Sequence, residues 1–270
     1  MNLSKNDIEK MSYTDFVGLI NQWNVPPGSY DTLNRWCLYS NLSSKSELLE
    51  IACTTGFSSR ELSIISGCSS LGIDISESSI KSAKNSANKI AESGLLAYEV
   101  ADAVSYKSDK IFTHIVIGAS LGFFNEPQEL LNNIKLIMKD NGYLLASPFY
   151  VTKEIPQSLI EKAKNIFDIT ITTQVYKDIM SMYKDFEIHY SEKKTIDKET
   201  DDELHHYCSS VINSFKENNP RLSEDIYKAC YDRLMDIKIM SNELRPFQNY
   251  VVLVLRHVKD RDTKRFIELF

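Results

Sequence analysis

The residues whose types and spacing could do chemistry begin in the stretch Leu48 to Ser59, LLEIACTTGFSS. An acid, Glu50, sits in a short apolar run. Small residues, Ala52 and Cys53, close that run, and after Thr54 and Thr55 a glycine, Gly56, opens the next segment. A strand ending this way lets a nucleotide-like ligand lie against bare backbone, where larger side chains would block it. The helix that follows presents unpaired N–H groups, positively polarised, to polar ligand atoms. Glu50 is suited to order the turn by accepting N–H groups from it. Further along, Asp74 ends a second apolar run, 24 residues after Glu50, and Asp102 follows a third. The small residues Gly118, Ala119 and Ser120 end a fourth. Taken singly, Asp74 reads equally well as a helix cap and Asp102 as a surface acid.

The elements that must position these residues alternate. Short apolar runs at 48–53, 70–74, 95–100, 111–118 and 143–147 read as strands. Helical patterns at 58–65, 77–92, 126–138 and 156–167 lie between and after them. Strands alternating with helices at this spacing imply βαβ units and a parallel sheet. After 167 the rhythm breaks. Residues 186–193 and 248–257 read as two further strands, with two charged helices, 198–218 and 221–244, between them. The first forty residues are amphipathic and helical, broken at Asn24-Val25-Pro26-Pro27-Gly28-Ser29, a turn by its proline and glycine content.

With that order in place, the chain resembles the class I S-adenosylmethionine-dependent methyltransferases, whose first motif is an acid followed by alternating glycines. Glu50 holds the acidic position, Ala52 and Cys53 match a common variant, and Gly56 holds the last glycine; Thr54 stands where a middle glycine is usual. The resemblance implies S-adenosylmethionine as cofactor and S-adenosylhomocysteine as product. It implies that Asp74 takes the ribose hydroxyls, with Ile75 beside it. It also implies that Asp102, with Ala103, meets the adenine amino group, and that Gly118, Ala119 and Ser120 let the cofactor pass. The expected fold is α/β: a Rossmann-like seven-stranded sheet with helices on both faces and an antiparallel last strand. A helical insertion lies between strands 6 and 7, and helices precede the core. The chain then divides into an N-terminal helical cap (1–46), a cofactor-binding core (47–193), a helical lid (194–245), and a terminal strand and tail (246–270).

Composition bounds the rest. The chain has 270 residues, a formal net charge of −6 and 25% charged residues, which lacks the basic footprint of a nucleic-acid binder. No apolar run reaches the length of a membrane span, and no signal peptide is expected. Five scattered cysteines without a CxxC pair read as reduced thiols in a cytoplasmic protein. No metal site is expected. Of five histidines, His114 and His257 fall at the sheet edge far from the strand ends that carry the motif, and His189 lies within strand 6. His205 and His206 fall on the lid. His206, then His205, then Tyr30 are the expected general bases, since imidazole titrates in the right range. Arg245 or Arg35 is expected to hold an acid on the acceptor. Trp23 and Tyr30 are expected to form one wall of the pocket, and Phe123, Phe124, Phe149 and Tyr150 its floor. The function expected is methyl transfer to a small-molecule oxygen or nitrogen acceptor, in a monomer or homodimer. The alternatives are a Rossmann-like nucleotide enzyme of another class, or a binding protein whose cofactor site has degenerated at Thr54.

Overall fold

The computed structural model describes residues 3–259; the tail expected at the C-terminus lies outside the described residues beyond Lys259. Three short helices precede the sheet: α1 (Lys5–Lys10), α2 (Tyr13–Leu19) and α3 (Ser29–Ser40). The core then runs β1 (Glu47–Ile51), α4 (Phe57–Ser66), β2 (Ser69–Asp74), α5 (Glu77–Ala87), β3 (Leu96–Val100), β4 (Phe112–Gly118), α6 (Pro127–Leu136) and β5 (Met138–Ala146). It continues with β6 (Phe149–Val151), α7 (Gln157–Phe167), α8 (Tyr176–Met182), β7 (Glu187–Lys194), α9 (Asp201–Asn218), α10 (Glu224–Leu244) and β8 (Gln248–Arg256).

The sheet order is β3-β2-β1-β4-β5-β8, with β6 continuing β5 along one side of β8 and β7 on the other. β1 to β5 pair in parallel. β8 is antiparallel to both β5 and β7, as expected for the last strand. The three-residue β6, and the helix α8 that follows α7, are additions to the expected plan. β6 forms because Ser147-Pro148 interrupts β5 and the chain then rejoins β8 at Phe149↔Tyr250. The N-terminal region is broken twice rather than once. Ser12 ends α1's run by capping α2, accepting the backbone N–H of Asp15.

Strands with both faces covered are continuous apolar runs, and their alternate side chains build two cores. Leu49, Ile115, Ile117, Leu144, Leu253 and Leu255 pack with Leu130, Leu131 and Ile134 of α6 and with Ile179 of α8. Leu48, Val116, Leu145, Val252 and Val254 face the other way, onto Leu33 and Trp36 of α3 and Phe57 and Leu62 of α4. A third core lies off the sheet. Ile8, Phe16, Ala163, Phe167, Cys208, Ile212, Cys230 and Leu234 pack together from α1, α2, α7, α9 and α10. The insertion thus stands at the edge where β7 ends and β8 begins, and it shares its core with the N-terminal helices. That edge carries the C-terminal ends of the parallel strands, because Lys194 lies opposite Tyr250 and Ala146 opposite Leu253. No helix among the described residues is long and apolar enough to cross a membrane.

Candidate active site

The turn after β1 adopts the backbone that alternating glycines would give. Ala52, Thr54 and Gly56 all have positive φ, at 52°, 47° and 70°. Ala52 is partly exposed while every other residue from Ile51 to Arg60 is buried, so the turn opens to solvent at one point. Glu50 is buried, and its carboxylate accepts the backbone N–H of Ser59 in the first turn of α4 at 2.9 Å. Burial pushes its carboxyl pKa up, while the Ser59 bonds pull it down. Cys53 turns its thiol into a packed cluster with Ile80, Ala83 and Tyr98, leaving only its backbone on the turn. Gly56 meets a second demand besides its φ: a Cβ there would lie 2.4 Å from the Tyr98 ring.

Asp74 locks this turn to the end of β2. One carboxylate oxygen accepts the Thr54 N–H and the other the Ser76 N–H, both at 2.9 Å. A carboxylate offers about four acceptor positions, so two backbone bonds leave capacity for hydroxyl donors. Burial raises the Asp74 pKa against those two bonds, and the nearby Asp15 adds to the rise. Next to it Ile75 stands 69% exposed, an apolar surface without cover at the strand end. Asp102 is exposed beyond β3, accepting the Val104 N–H at 3.0 Å, and Ala103 beside it is buried. At the end of β4, Gly118 has φ 53°, and a Cβ there would meet nothing within 4 Å. Ala119 and Ser120 continue that partly exposed edge, with the Ser120 hydroxyl on the Ile117 carbonyl. The structure therefore brings Glu50, Ala52, Thr54, Gly56, Asp74, Ile75, Asp102, Gly118, Ala119 and Ser120 to the carboxyl ends of four neighbouring strands.

The N-terminal segment covers part of this edge. Asp15 accepts the Ser76 hydroxyl at 2.6 Å, the Ser79 hydroxyl reaches the Thr14 carbonyl at 2.8 Å, and the Thr55 hydroxyl reaches the Gln22 carbonyl at 2.8 Å. Gly18 allows α2 to approach α5 closely, since a Cβ there would sit 2.6 Å from the Ser79 backbone nitrogen. Apart from Thr55, none of these residues belongs to the motif. Their signal was a glycine within a helix facing a serine-rich helix.

The expected bases are placed differently. Thr200 caps α9 with a capping box, and Leu204, Cys208, Ile212 and Phe215 form its buried stripe. This phase turns both His205 and His206 outward, and both are exposed. His205 Nδ1 lies 2.7 Å from the Tyr231 hydroxyl. Tyr30 gives its hydroxyl to Glu61 at 3.0 Å, and burial together with that bond raises its pKa, the wrong direction for a base. The two expected acid anchors are engaged as well. Arg35 pairs with Glu192 and Asp31, and Arg245 pairs with Glu199 at 2.8 Å. Of the expected floor, Tyr150 is buried in the core against Tyr176, while Phe123 is 52% exposed. Trp23 and Tyr30 do flank one place, each within 6 Å of the Phe57 ring.

A family model described as a methyltransferase domain matches residues 42–224, which span β1 to α9 and include every strand-end residue above. The chain belongs to the methyltransferase-domain family. Among curated proteins none matches. Solved structures similar to this family member include the MccD protein, 28% identical with a TM-score of 0.70, covering 87% of this chain and 99% of that one. Another is a methyltransferase from Thiobacillus denitrificans in complex with S-adenosylhomocysteine, 15% identical with a TM-score of 0.66, covering 89% and 96%. A third is the [4+2]-cyclase SpnF, 14% identical with a TM-score of 0.62, covering 86% and 82%. At such identities the last two speak for the fold alone, and the cyclase illustrates that one fold hosts more than one chemistry.

Proposed function

We propose that this chain transfers a methyl group from S-adenosylmethionine to an oxygen or nitrogen of a small molecule, leaving S-adenosylhomocysteine. The observation that carries the reading is the turn at 52–56, whose backbone holds the left-handed geometry at all three alternating positions although two are not glycine. That cradle, with the spare acceptor positions of Asp74, fits the cofactor. Asp74 would hold the ribose, Ile75 would lie on the adenine ring, Asp102 would take its amino group, and the open side of Gly118 would admit the rest.

The bound cofactor supplies a methyl group already activated by a sulfonium. The protein's part is alignment of the acceptor and exclusion of water. In this reading the helices of 194–245, packed with α1 and α2, form a lid that selects the acceptor. The acceptor's proton leaves through a group other than His205 or His206, which face solvent. The scattered free thiols suit a reducing, cytoplasmic setting.

Calorimetric titration with S-adenosylhomocysteine tests the reading. Binding is expected, and Asp74→Ala weakens it at least tenfold, because hydrogen bonds to a charged acceptor are worth roughly 1.5–3 kcal/mol each. No heat at millimolar ligand would sink the cofactor assignment. An unchanged dissociation constant in folded Asp74→Ala would remove Asp74 from the site.

A further inference from the structure

Gln22 follows α2, where the N-terminal segment crosses the cofactor edge. Its backbone is fixed on several sides. The side-chain oxygen of Asn21 before it accepts the Ser82 hydroxyl at 2.5 Å and the Ser86 hydroxyl at 3.2 Å, both from α5. The Gln22 N–H reaches the Val17 carbonyl at 3.0 Å, and the Gln22 carbonyl accepts the Thr55 hydroxyl from the turn after β1. The side chain is confined as well, since Gln22 is only 7% exposed.

The Gln22 side chain meets Tyr207 of α9. Burial pushes the Tyr207 pKa up to about 12, and a side-chain hydrogen bond from Gln22 opposes the rise. A bond that lowers a phenol pKa is donated to its oxygen, so it comes from the Gln22 amide nitrogen. Lys238 covers the Tyr207 ring, 4.4 Å from its centre. The amide oxygen of Gln22, Oε1, is buried and has no hydrogen-bond partner among the described residues. A buried acceptor left unpaired is costly. This one is held in the seam between the turn after β1 and the helices of 194–245.

We propose that Gln22 Oε1 is a specificity-determining group that receives the hydrogen of the methyl acceptor's nucleophile. The site would then select an amine or a hydroxyl over a nucleophile that brings no hydrogen, such as a carboxylate or a thiolate. The proposal rests on the cofactor reading above and names the residue that meets the other substrate. A neutral amide oxygen attracts N–H and O–H donors, whereas an anionic nucleophile offers it only lone pairs. Gln22 orients the nucleophile and forms no covalent bond.

Two ligands serve as probes in calorimetry. S-adenosylhomocysteine has a bare thioether at the reacting centre. Sinefungin has the same nucleoside and amino-acid ends, with carbon in place of the sulfur and an amine in place of the transferred methyl group. It therefore carries N–H donors to the place where nucleophile and methyl group meet. Wild-type protein is expected to prefer sinefungin. In Gln22→Met, which keeps the side chain's length, affinity for sinefungin falls roughly tenfold or more, the range for one bond to a charged donor, while affinity for S-adenosylhomocysteine is unchanged. Gln22→Glu places a charge on the same acceptor and widens the preference. Unfolding midpoints without ligand establish that both variants fold. Equal changes for the two ligands, or a wild-type protein without preference, would overturn the proposal and leave Gln22 a brace for Thr55. A preference that Gln22→Met leaves unchanged or enlarges would overturn it too. If neither ligand binds wild-type protein, the cofactor reading itself fails, a different outcome from a Gln22 effect that is merely non-selective.

Discussion

At residue scale, the turn after β1 stores strain where it is needed. A non-glycine residue in the left-handed region costs about 1–2 kcal/mol, and Ala52 and Thr54 both accept it. The neighbours that hold them there are the Asp74 carboxylate on Thr54 and the Ser59–Glu50 bond that fixes the start of α4. Gly56 differs in kind, since the Tyr98 ring occupies the space of any Cβ. Two neighbouring substitutions should therefore have opposite signs. Ala52→Gly relieves the strain but frees the unfolded chain, and is expected to stabilise by up to about 1 kcal/mol. Gly56→Ala adds both strain and a clash, and is expected to destabilise by about 2 kcal/mol or more. Urea midpoints at constant m decide it. A lower midpoint for Ala52→Gly would mean that the methyl group, not the backbone, holds the turn.

At the scale of elements, the seam between α2 and α5 ties the N-terminal segment to the cofactor edge. It is made of hydroxyls and one glycine rather than of large apolar side chains. Gly18→Ala places its Cβ against the backbone of α5, so overpacking of about 1–3 kcal/mol is expected to outweigh the gain in helix propensity. Hydrogen exchange should quicken in α2 and at the start of α5 while α10 keeps its protection. Equal protection in all three would show that the helices re-pack without parting. This seam was illegible in the sequence, because Ser76, Ser78, Ser79, Ser82 and Ser86 read as a solvated face. The strands were legible for the converse reason: buried on both sides, β4 and β8 carry unbroken apolar runs, 115–117 and 250–255. On α9 the stripe that packs is Leu204-Cys208-Ile212, which turns His205 and His206 to the exposed side, a matter of helix phase that two adjacent histidines do not reveal. β6 carries too few residues for a period to be read.

At the scale of the whole molecule, the two edges of the sheet respond to acid in opposite senses. His114 lies at the edge remote from the site, with Nε2 3.1 Å from the Ser40 carbonyl and Nδ1 2.8 Å from the Thr113 hydroxyl. The carbonyl only accepts, so Nε2 carries a proton, and burial keeps the ring neutral. Burial lowers its pKa from 6.5 to about 4. The unfolded chain therefore binds an extra proton between those values. The stability that His114 contributes is full above pH 6.5 and is lost as pH falls toward 4, about 3 kcal/mol in all. Glu50 and Asp74 have pKa values raised above their ordinary ones. Their contribution is full below the ordinary carboxylate pKa and is lost as pH rises through the raised value. Glu192, drawn down to about 2 by Arg35, Lys194 and Tyr190, keeps its contribution between pH 7 and pH 5. Urea midpoints of wild type, His114→Gln and Glu50→Gln at pH 7 and pH 5 separate these effects. The gap between wild type and His114→Gln should narrow at pH 5, because the wild type loses what the variant never had. The gap between wild type and Glu50→Gln should move the other way. A His114→Gln gap that does not change with pH would mean that the fold leaves the ring's pKa where the unfolded chain has it, and a gap that widens at pH 5 would mean that the ring is charged in the fold.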